Sequence, residues 1–270
     1  VDIEYFKTGP GDHDVTRRVT FAGTDQYFPG GGVELWRAVS WDEDGTKHNF
    51  AQAPSQCTGH FLPVNNINGN PIACGNMEGQ SPSSAFAAIW PDPHLSYPGF
   101  GQPKVGLSPG SIINGMALAL YLQPDTLYKL YACGKDKIPG ETNFRATFWN
   151  EGTPTYLTDG SNYAVAEDID VAMENKAYIC GEEQFTQGKS TAVYWKPDGT
   201  VVKLSDDANN ALATNISVSK NTVLVCGYEA APTGAGLPQI FTAKYWKNGV
   251  AVNLSDGIHS ATANGMAVKW

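Results

Sequence analysis

The sequence has little positive charge and no long apolar segment. Lys and Arg number 18 against 27 Asp and Glu, so the formal net charge is −9 at pH 7. Nucleic acids and anionic membrane surfaces attract clustered Lys and Arg, so this balance argues against both as partners. No stretch of about 18 consecutive apolar residues occurs, so the sequence predicts no transmembrane helix.

Metal-binding patterns and helical patterns are also lacking. The five histidines are dispersed without a metal-binding pair, and no loop has the Asp-x-Asp-x-Asp-Gly pattern of a calcium site. We therefore expect neither a metal nor another cofactor. Apolar residues show no 3.6-residue period of useful length, and the hydrophobic runs are short and rich in β-branched and aromatic residues. This composition favours strands over helices.

A repeated pair of markers is present instead. A short hydrophobic run ends in Gly, and a Trp with Ala three residues before it follows 14 to 19 residues later. The glycines are Gly23, Gly75, Gly134, Gly181 and Gly227, and the tryptophans are Trp41, Trp90, Trp149, Trp195 and Trp246. Recurrence at a spacing of about 50 residues predicts a repeat architecture. The Trp and Ala positions are expected to pack one repeat against the next.

One repeat is clearest over residues 164–204. It shows strand patterns at 164–172, 176–181, 191–195 and 200–204, separated by turn residues such as those of 196–199. A repeated unit of four short antiparallel strands is typical of a propeller blade. The predicted fold is therefore an all-β, five-bladed β-propeller of four-stranded antiparallel blades.

Four of the five cysteines occupy the position just before the repeat glycine. They are Cys74, Cys133, Cys180 and Cys226, and the first repeat has Ala22 there. Equivalent positions on neighbouring repeats are usually too far apart for a disulfide. Exchange with Ala indicates small, buried packing residues, and the tight spacing of a zinc site is missing.

The two chain ends are expected to complete one blade together. Trp246 lies 24 positions before Trp270, and the ten residues 14–23 bring the total to the 34 positions that separate Trp41 from Gly75. Residues 264–270 would then be a first strand that pairs with residues 19–23 and closes the ring. This interpretation makes residues 14–270 a single propeller and leaves residues 1–13 as a leader, an outer edge strand or a tether.

A resemblance supports the same fold. Residues 243–257, Ala-Lys-Tyr-Trp-Lys-Asn-Gly-Val-Ala-Val-Asn-Leu-Ser-Asp-Gly, together with Val-Leu-Val-Cys-Gly at 223–227, resemble a repeat of secreted proteins and lipoproteins from Bacteroidetes-like bacteria. They are more distantly similar to HAF-type extracellular repeats. The resemblance covers nearly all of the chain after residue 13. It implies an extracellular, cell-surface or periplasmic location in a bacterium, but no catalytic residue.

Candidate binding residues lie where the repeats differ. In a propeller, ligands usually lie over the central channel, near the start of the first strands and the loops between second and third strands. Residues at these places are His60, Asn114, Glu167, Asp168, Asn215 and Asn264, and Tyr27, Glu182, Tyr228 and Glu229. Polar groups beside exposed aromatic rings on loops are typical of carbohydrate and peptide sites. We expect a monomeric, non-enzymatic module that binds a glycan, peptide or protein.

Two alternatives remain open at the level of sequence. Five-bladed glycosidases of the arabinanase and invertase type carry acidic residues around the channel, and glycoside hydrolysis needs two carboxylates roughly 5–9 Å apart. Glu167, Asp168 and Asp170 all lie on one predicted strand, so a catalytic pair would need a loop residue such as Glu182 or Glu229. The other alternative is a purely structural surface module.

Overall fold

The structure is a computed structural model in which the described residues form an all-β protein. It describes residues 2–7, 15–27, 35–42, 47–49, 64–65, 71–77, 86–90, 105–106, 112–120, 128–150, 152–172, 176–186, 188–231 and 239–268. Within these ranges there are twenty strands and no helix, which confirms the predicted all-β class. The same ranges contain no helix that could cross a membrane. The strands form four-stranded sheets, and the pairings whose register is described are antiparallel.

The chain divides into two compact units. The first comprises residues 1–113 and 120–128, and the second comprises residues 114–119 and 129–270. The first unit contains β1 (Asp2–Lys7), β2 (Val15–Tyr27), β3 (Leu35–Asp42), β4 (Lys47–Asn49), β5 (Val64–Asn65), β6 (Pro71–Met77), β7 (Phe86–Trp90) and β8 (Val105–Gly106). They form two sheets with the strand orders β1-β2-β3-β4 and β5-β6-β7-β8. Each sheet is thus built from consecutive strands, as expected for one repeat.

The N-terminal residues form an edge strand, which is one of the roles expected for residues 1–13. Residues 2–7 form β1 at the edge of the first sheet and pair with β2, so that Ile3 lies opposite Val19 and Asp2 opposite Thr20. The expected pairing of the C-terminal segment with residues 19–23 is therefore wrong at Val19 and Thr20. The alternating pattern of residues 1–7 explains the outcome, because it forms a hairpin with the strand that follows it in sequence.

The second unit contains three sheets of consecutive strands. Its strands are β9 (Ile112–Leu120), β10 (Tyr128–Asp136), β11 (Arg145–Asn150), β12 (Thr153–Tyr156), β13 (Ala164–Ala172), β14 (Lys176–Thr186), β15 (Lys189–Trp195), β16 (Val201–Lys203), β17 (Ala211–Ser219), β18 (Thr222–Ala231), β19 (Ile240–Lys247) and β20 (Val250–Asn253). The sheets are β9–β12, β13–β16 and β17–β20. The four strands predicted for residues 164–204 are confirmed as β13 to β16, to within a few residues at their ends.

The three sheets of the second unit pack on one another through the repeated residues. Trp195 lies in one apolar cluster with Tyr131 of the preceding sheet. Cys180 and Leu204, from the same sheet as Trp195, lie in a second cluster with Trp246 of the following sheet. Trp149, Trp195 and Trp246 are fully buried. The alanines three residues before them, Ala146, Ala192 and Ala243, are buried as well. The packing role predicted for this pattern is confirmed in the three repeats of the second unit, where these side chains are described.

The repeat glycine is required by a β-bulge in the first strand. The pairing of β13 with β14 shifts between Ala166 and Asp168, and a Cβ on Gly181 would lie 2.0 Å from the carbonyl oxygen of Val165. The pairing of β17 with β18 shifts between Ala213 and Asn215, and a Cβ on Gly227 would lie 2.0 Å from the carbonyl oxygen of Leu212. A bulge brings the two backbones close together, and only Gly allows this approach.

The C-terminal segment contacts β17 through the same kind of hydrogen bond by which β17 contacts β13. Asp168 accepts a hydrogen bond from the backbone N–H of Ile216, and Asn215 accepts one from the backbone N–H of Met266 at 3.2 Å. Asp168 and Asn215 are equivalent in the repeat, and so are Ile216 and Met266. Residues 264–268 therefore contact β17 at the position where β17 contacts β13, although they do not form a strand.

Candidate functional site

The bulge of β13 displaces Glu167 from the regular pairing of the strand. Ala166 pairs with Gly181 and Asp168 with Cys180, so Glu167 is the extra residue between them. Bulges redirect a side chain and occur frequently next to binding sites. The corresponding residue of β17, Thr214, donates its hydroxyl hydrogen within the protein, at 2.6 Å from the carbonyl oxygen of Ala263. Glu167 has no such partner among the described residues.

A cleft of about 230 Å³ lies between the sheets β13–β16 and β17–β20. We name it the Glu182–Tyr228 cleft. The described residues that line it are Glu182, Ser190, Asn210, Ala211, Leu212, Tyr228, Gln239 and Phe241. Two residues predicted from the sequence, Glu182 on β14 and Tyr228 on β18, thus meet across two neighbouring repeats. The lining combines an acid, two amides and a hydroxyl with two aromatic rings.

Asn210 fixes the two sides of the cleft relative to each other. Its side-chain oxygen accepts a hydrogen bond from the backbone N–H of Ser190 at 3.1 Å, and its amide nitrogen donates to the side chain of Gln239 at 3.4 Å. Its carbonyl oxygen accepts from the backbone N–H of Ala230. Asn210 thereby connects β15, β18 and the residue before β19 through its side chain and its backbone carbonyl. Such a network keeps the polar groups of the cleft in place before a ligand binds.

Aromatic rings form the other part of the cleft. The rings of Tyr228 and Phe241 meet edge to face, with centroids 5.0 Å apart and an angle of 70° between their planes. This arrangement is a favoured geometry for aromatic pairs, and it fixes the orientation of the Tyr228 ring. A ring held in this way offers a ready apolar surface for a ligand.

The acidic groups near the cleft interact electrostatically. Burial raises the pKa of Glu167, and the nearby charge of Glu182 raises it further, whereas Lys135 lowers it. Burial also raises the pKa of Glu182, against the effects of a hydrogen bond from Ser190 and of Lys135. The pKa of Tyr228 is raised by burial and then by Glu182 and Glu167. Glu167, Glu182 and Tyr228 therefore form one electrostatically linked group, which we call the acidic group.

Lys135 is the cation that lowers the pKa of both Glu167 and Glu182, but its ammonium is held by contacts with other residues. Its ammonium donates a hydrogen bond to the hydroxyl of Tyr163 at 3.2 Å. It also lies 5.0 Å from the ring centroid of Phe144 and 5.6 Å from that of Tyr163. Both distances are within the range of cation–π interaction. Lys135 therefore lowers the pKa of both glutamates from a distance and forms an ion pair with neither.

Asp168 and Asn215 hold neighbouring first strands together. One carboxylate oxygen of Asp168 accepts from the backbone N–H of Ile216 at 2.9 Å and from the side-chain amide of Asn215 at 2.6 Å. Asp170 accepts from the backbone N–H of Val218 at 2.7 Å in the same manner. Burial raises the pKa of Asp168 to about 7, although the hydrogen bond from Ile216 lowers it. These contacts give Asp168 and Asn215 a structural role between β13 and β17.

The remaining predicted residues do not line the cleft among the described side chains. Glu229 forms an ion pair with Lys244. Asn264 is exposed in the C-terminal segment. Asn114 lies on β9 and Tyr27 ends β2, but only their backbones are described. His60 lies outside the described residues.

Several lining residues were not predicted from the sequence. Asn210, Gln239 and Phe241 precede or begin β17 and β19, where the sequence shows only a polar link and the end of a loop. Phe241 could have been found, since it alternates with Ala243 at the start of a strand. Within the described residues, no group of three or more His, Cys, Asp or Glu is arranged to hold a metal ion.

Comparison with known proteins identifies no family. No family model and no curated protein matches this chain. Among solved structures, it is similar to a crystal structure of a puromycin hydrolase mutant complexed with PGG, with 10% sequence identity and a TM-score of 0.23. The match covers 82% of this chain and 50% of the other, so this chain spans about half the length of that protein. A match at this level carries no argument about fold or activity.

Proposed function

We propose that this chain is a non-enzymatic module that binds a saccharide in the Glu182–Tyr228 cleft. The observation that carries the proposal is the composition of that cleft, where hydrogen-bonding groups surround a fixed aromatic ring. Sugars present hydroxyl groups at their edges and C–H groups on their ring faces. Polar side chains suit the first and aromatic rings suit the second.

The size of the cleft supports a single sugar ring as the unit that is bound. Its volume of about 230 Å³ is smaller than the roughly 300–1,000 Å³ of pockets that enclose a drug-sized ligand. One residue of an oligosaccharide fits this description better than several side chains of an extended peptide. The resemblance of the repeats to those of secreted bacterial proteins supports a location in the cell envelope or outside the cell.

We further propose that the five sheets form a closed five-bladed propeller. Leu204, at the end of the fourth strand of its repeat, is 7% exposed because the following sheet covers it. Leu254 is at the equivalent position of the last repeat and is 58% exposed, and Val252 beside it is 40% exposed. Apolar residues that are buried in one repeat and exposed in the next favour a further sheet on that face.

A glycan array followed by calorimetry tests the binding function. We expect specific binding of at least one oligosaccharide, and we expect Tyr228→Ala to abolish it because the ring surface is lost. Tyr245→Ala is the matched control, since Tyr245 is a partly exposed tyrosine on the adjacent strand and does not line the cleft. If no glycan on a broad array binds, the proposal is overturned and a structural module is favoured. Equal loss in both variants would show that the cleft is not the site.

Glycoside hydrolysis is the second candidate. It is favoured by one observation: Glu167 and Glu182 lie close enough for one charge to raise the pKa of the other. Separation of the pKa values of two carboxyl groups by their surroundings is how glycosidases obtain an acid and a base. The test is release of reducing ends from oligosaccharides by the wild-type protein. If this activity is lost in Glu167→Gln and in Glu182→Gln but kept in Glu183→Gln, the protein is a glycoside hydrolase and not a binding module. Glu183 is the neighbour of Glu182 and points to the opposite face of β14.

A further inference from the structure

We propose that the saccharide bound in the Glu182–Tyr228 cleft carries a protonated amine, as an unacetylated hexosamine does. The amine would lie against the ring of Tyr228 and donate hydrogen bonds to the carboxylate of Glu182. This inference rests on the proposed function and names the chemical class of its ligand.

The acidic group is not paired with a cation in the described part of the chain. Two partly buried acids of the second unit have one, since Glu229 pairs with Lys244 and Glu141 pairs with Arg145, whereas the buried Asp168 receives hydrogen bonds from Asn215 and from the backbone N–H of Ile216 instead. Neither Glu167 nor Glu182 forms an ion pair among the described residues. Two desolvated carboxylates near each other are unfavourable unless a positive charge compensates them. A cationic ligand provides that charge when it binds.

Other contacts hold Lys135 and keep it from pairing with either glutamate. Its ammonium is already engaged by Tyr163 and by the ring of Phe144. The contacts that hold it would have to be broken before it could pair with either glutamate. The charge of Lys135 reduces the repulsion between the two glutamates, and both remain able to accept hydrogen bonds from a ligand.

The cleft combines a carboxylate with an aromatic ring. A cation near a ring face gains electrostatic energy from the ring, and a carboxylate beside it adds a charge-assisted hydrogen bond. Glu182 and Tyr228 line the same cleft from neighbouring sheets. A neutral sugar would use only the ring face and the amides, whereas an amino sugar would use the carboxylate as well.

Calorimetry with three oligosaccharides of equal length tests this inference at near-neutral pH and low salt. The probes are β-1,4-linked tetramers of glucosamine, of N-acetylglucosamine and of glucose. We expect the glucosamine tetramer to bind about tenfold more tightly or better than the other two, since a hydrogen bond to a charged group contributes at least that factor. The preference should be lost in Glu182→Gln and retained in Glu183→Gln.

The outcomes separate the two proposals. Equal affinity for the three tetramers would overturn the amine inference and leave saccharide binding intact, whereas no binding of any tetramer, together with silence on the array, would overturn both. Preference for an acetylated sugar would also overturn the inference. The comparison of ligands needs only the wild-type protein, so it stands even if Glu182→Gln does not fold. Raising the salt to about 1 M should reduce the preference, because screening then acts over about 3 Å.

Discussion

Substitution of Gly181 by Ala tests the link between the repeat glycine and the bulge. The new Cβ would lie 2.0 Å from the carbonyl oxygen of Val165 and 3.0 Å from the Cα of Ala166. Ordinary contacts of this kind are about 3.5–4.0 Å, so the backbone of β13 must move by more than 1 Å. Forced insertion into a packed interior costs about 1–3 kcal/mol, and a clash with backbone lies at or above the upper end of that range.

We therefore expect Gly181→Ala to lower the unfolding free energy by about 3 kcal/mol or more. For a unit of this size, that corresponds to a fall in Tm of roughly 6–12 °C. Thermal and urea unfolding followed by Trp fluorescence will measure it, because Trp195 and Trp246 are buried in the native sheets. The bulge that displaces Glu167 should relax in the variant, so binding in the Glu182–Tyr228 cleft should weaken at temperatures where the protein is still folded.

Two other glycines provide graded controls for this substitution. Gly199 has a φ of +81° and open space around its Cβ position, so Gly199→Ala should cost about 1 kcal/mol through backbone strain alone. Gly265 has neither a positive φ nor a neighbour within 4 Å, so Gly265→Ala should change stability by less than about 0.5 kcal/mol. If Gly181→Ala were no more destabilising than Gly265→Ala, the explanation of the repeat glycine would be refuted.

Three further predictions follow from packing and charge. Leu254→Asp should destabilise the protein by about 3 kcal/mol, as Leu204→Asp should, if a fifth sheet covers Leu254; a negligible effect on Tm would contradict ring closure. Because the pKa of Asp168 is raised in the folded state to about 7, the folded protein retains a proton that the unfolded chain has released, so unfolding free energy should fall as pH rises from about 4 to about 7. Asp168→Asn should remove this part of the slope in urea titrations at several pH values, and an unchanged slope would assign it to another group. Burial raises the pKa of Cys180 well above its usual value, so iodoacetamide should label Cys180 only after unfolding, as mass spectrometry would show; rapid labelling of the native protein would contradict its packing role.

Much of the fold of a single repeat could be predicted because packing residues recur. Each repeat needs a Trp between two sheets and a Gly where two backbones approach closely. The same residue therefore recurs at the same position in each repeat. Residues 164–204 were resolved into four strands for this reason, and Trp195 and Cys180 are buried as expected. The glycine pattern was visible from the sequence, but its cause, the bulge after Ala166, depends on a tertiary approach of two backbones.

The candidate site was predicted only in part. Glu167, Glu182 and Tyr228 are predicted because they are polar or aromatic where the repeats differ. The structure places Glu182 and Tyr228 in one cleft, and the charge of Glu167 raises the pKa of Tyr228. Asp168 meets the same criterion, but its carboxylate accepts a hydrogen bond from the backbone of the neighbouring strand β17, which no pattern within one repeat reveals. Asn210 was missed because its importance lies in contacts with residues 20 and 29 positions away.

The N-terminal strand shows the limit of counting residues. The count of 34 positions predicts that residues 264–270 form a first strand and pair with residues 19–23. The hydrogen bond from the backbone N–H of Met266 to Asn215 supports the position of this segment, but residues 264–268 form no strand and β1 occupies Val19 and Thr20. Two segments with similar alternation can compete for one strand edge, and the shorter connection has the lower closure entropy.

A crystal structure of the protein with the glucosamine tetramer tests the central claim most directly. The account predicts density for one sugar ring in the Glu182–Tyr228 cleft, with the ring face against Tyr228 and the amine within hydrogen-bond distance of Glu182. Density for the tetramer at another surface, with the cleft unchanged, would contradict it.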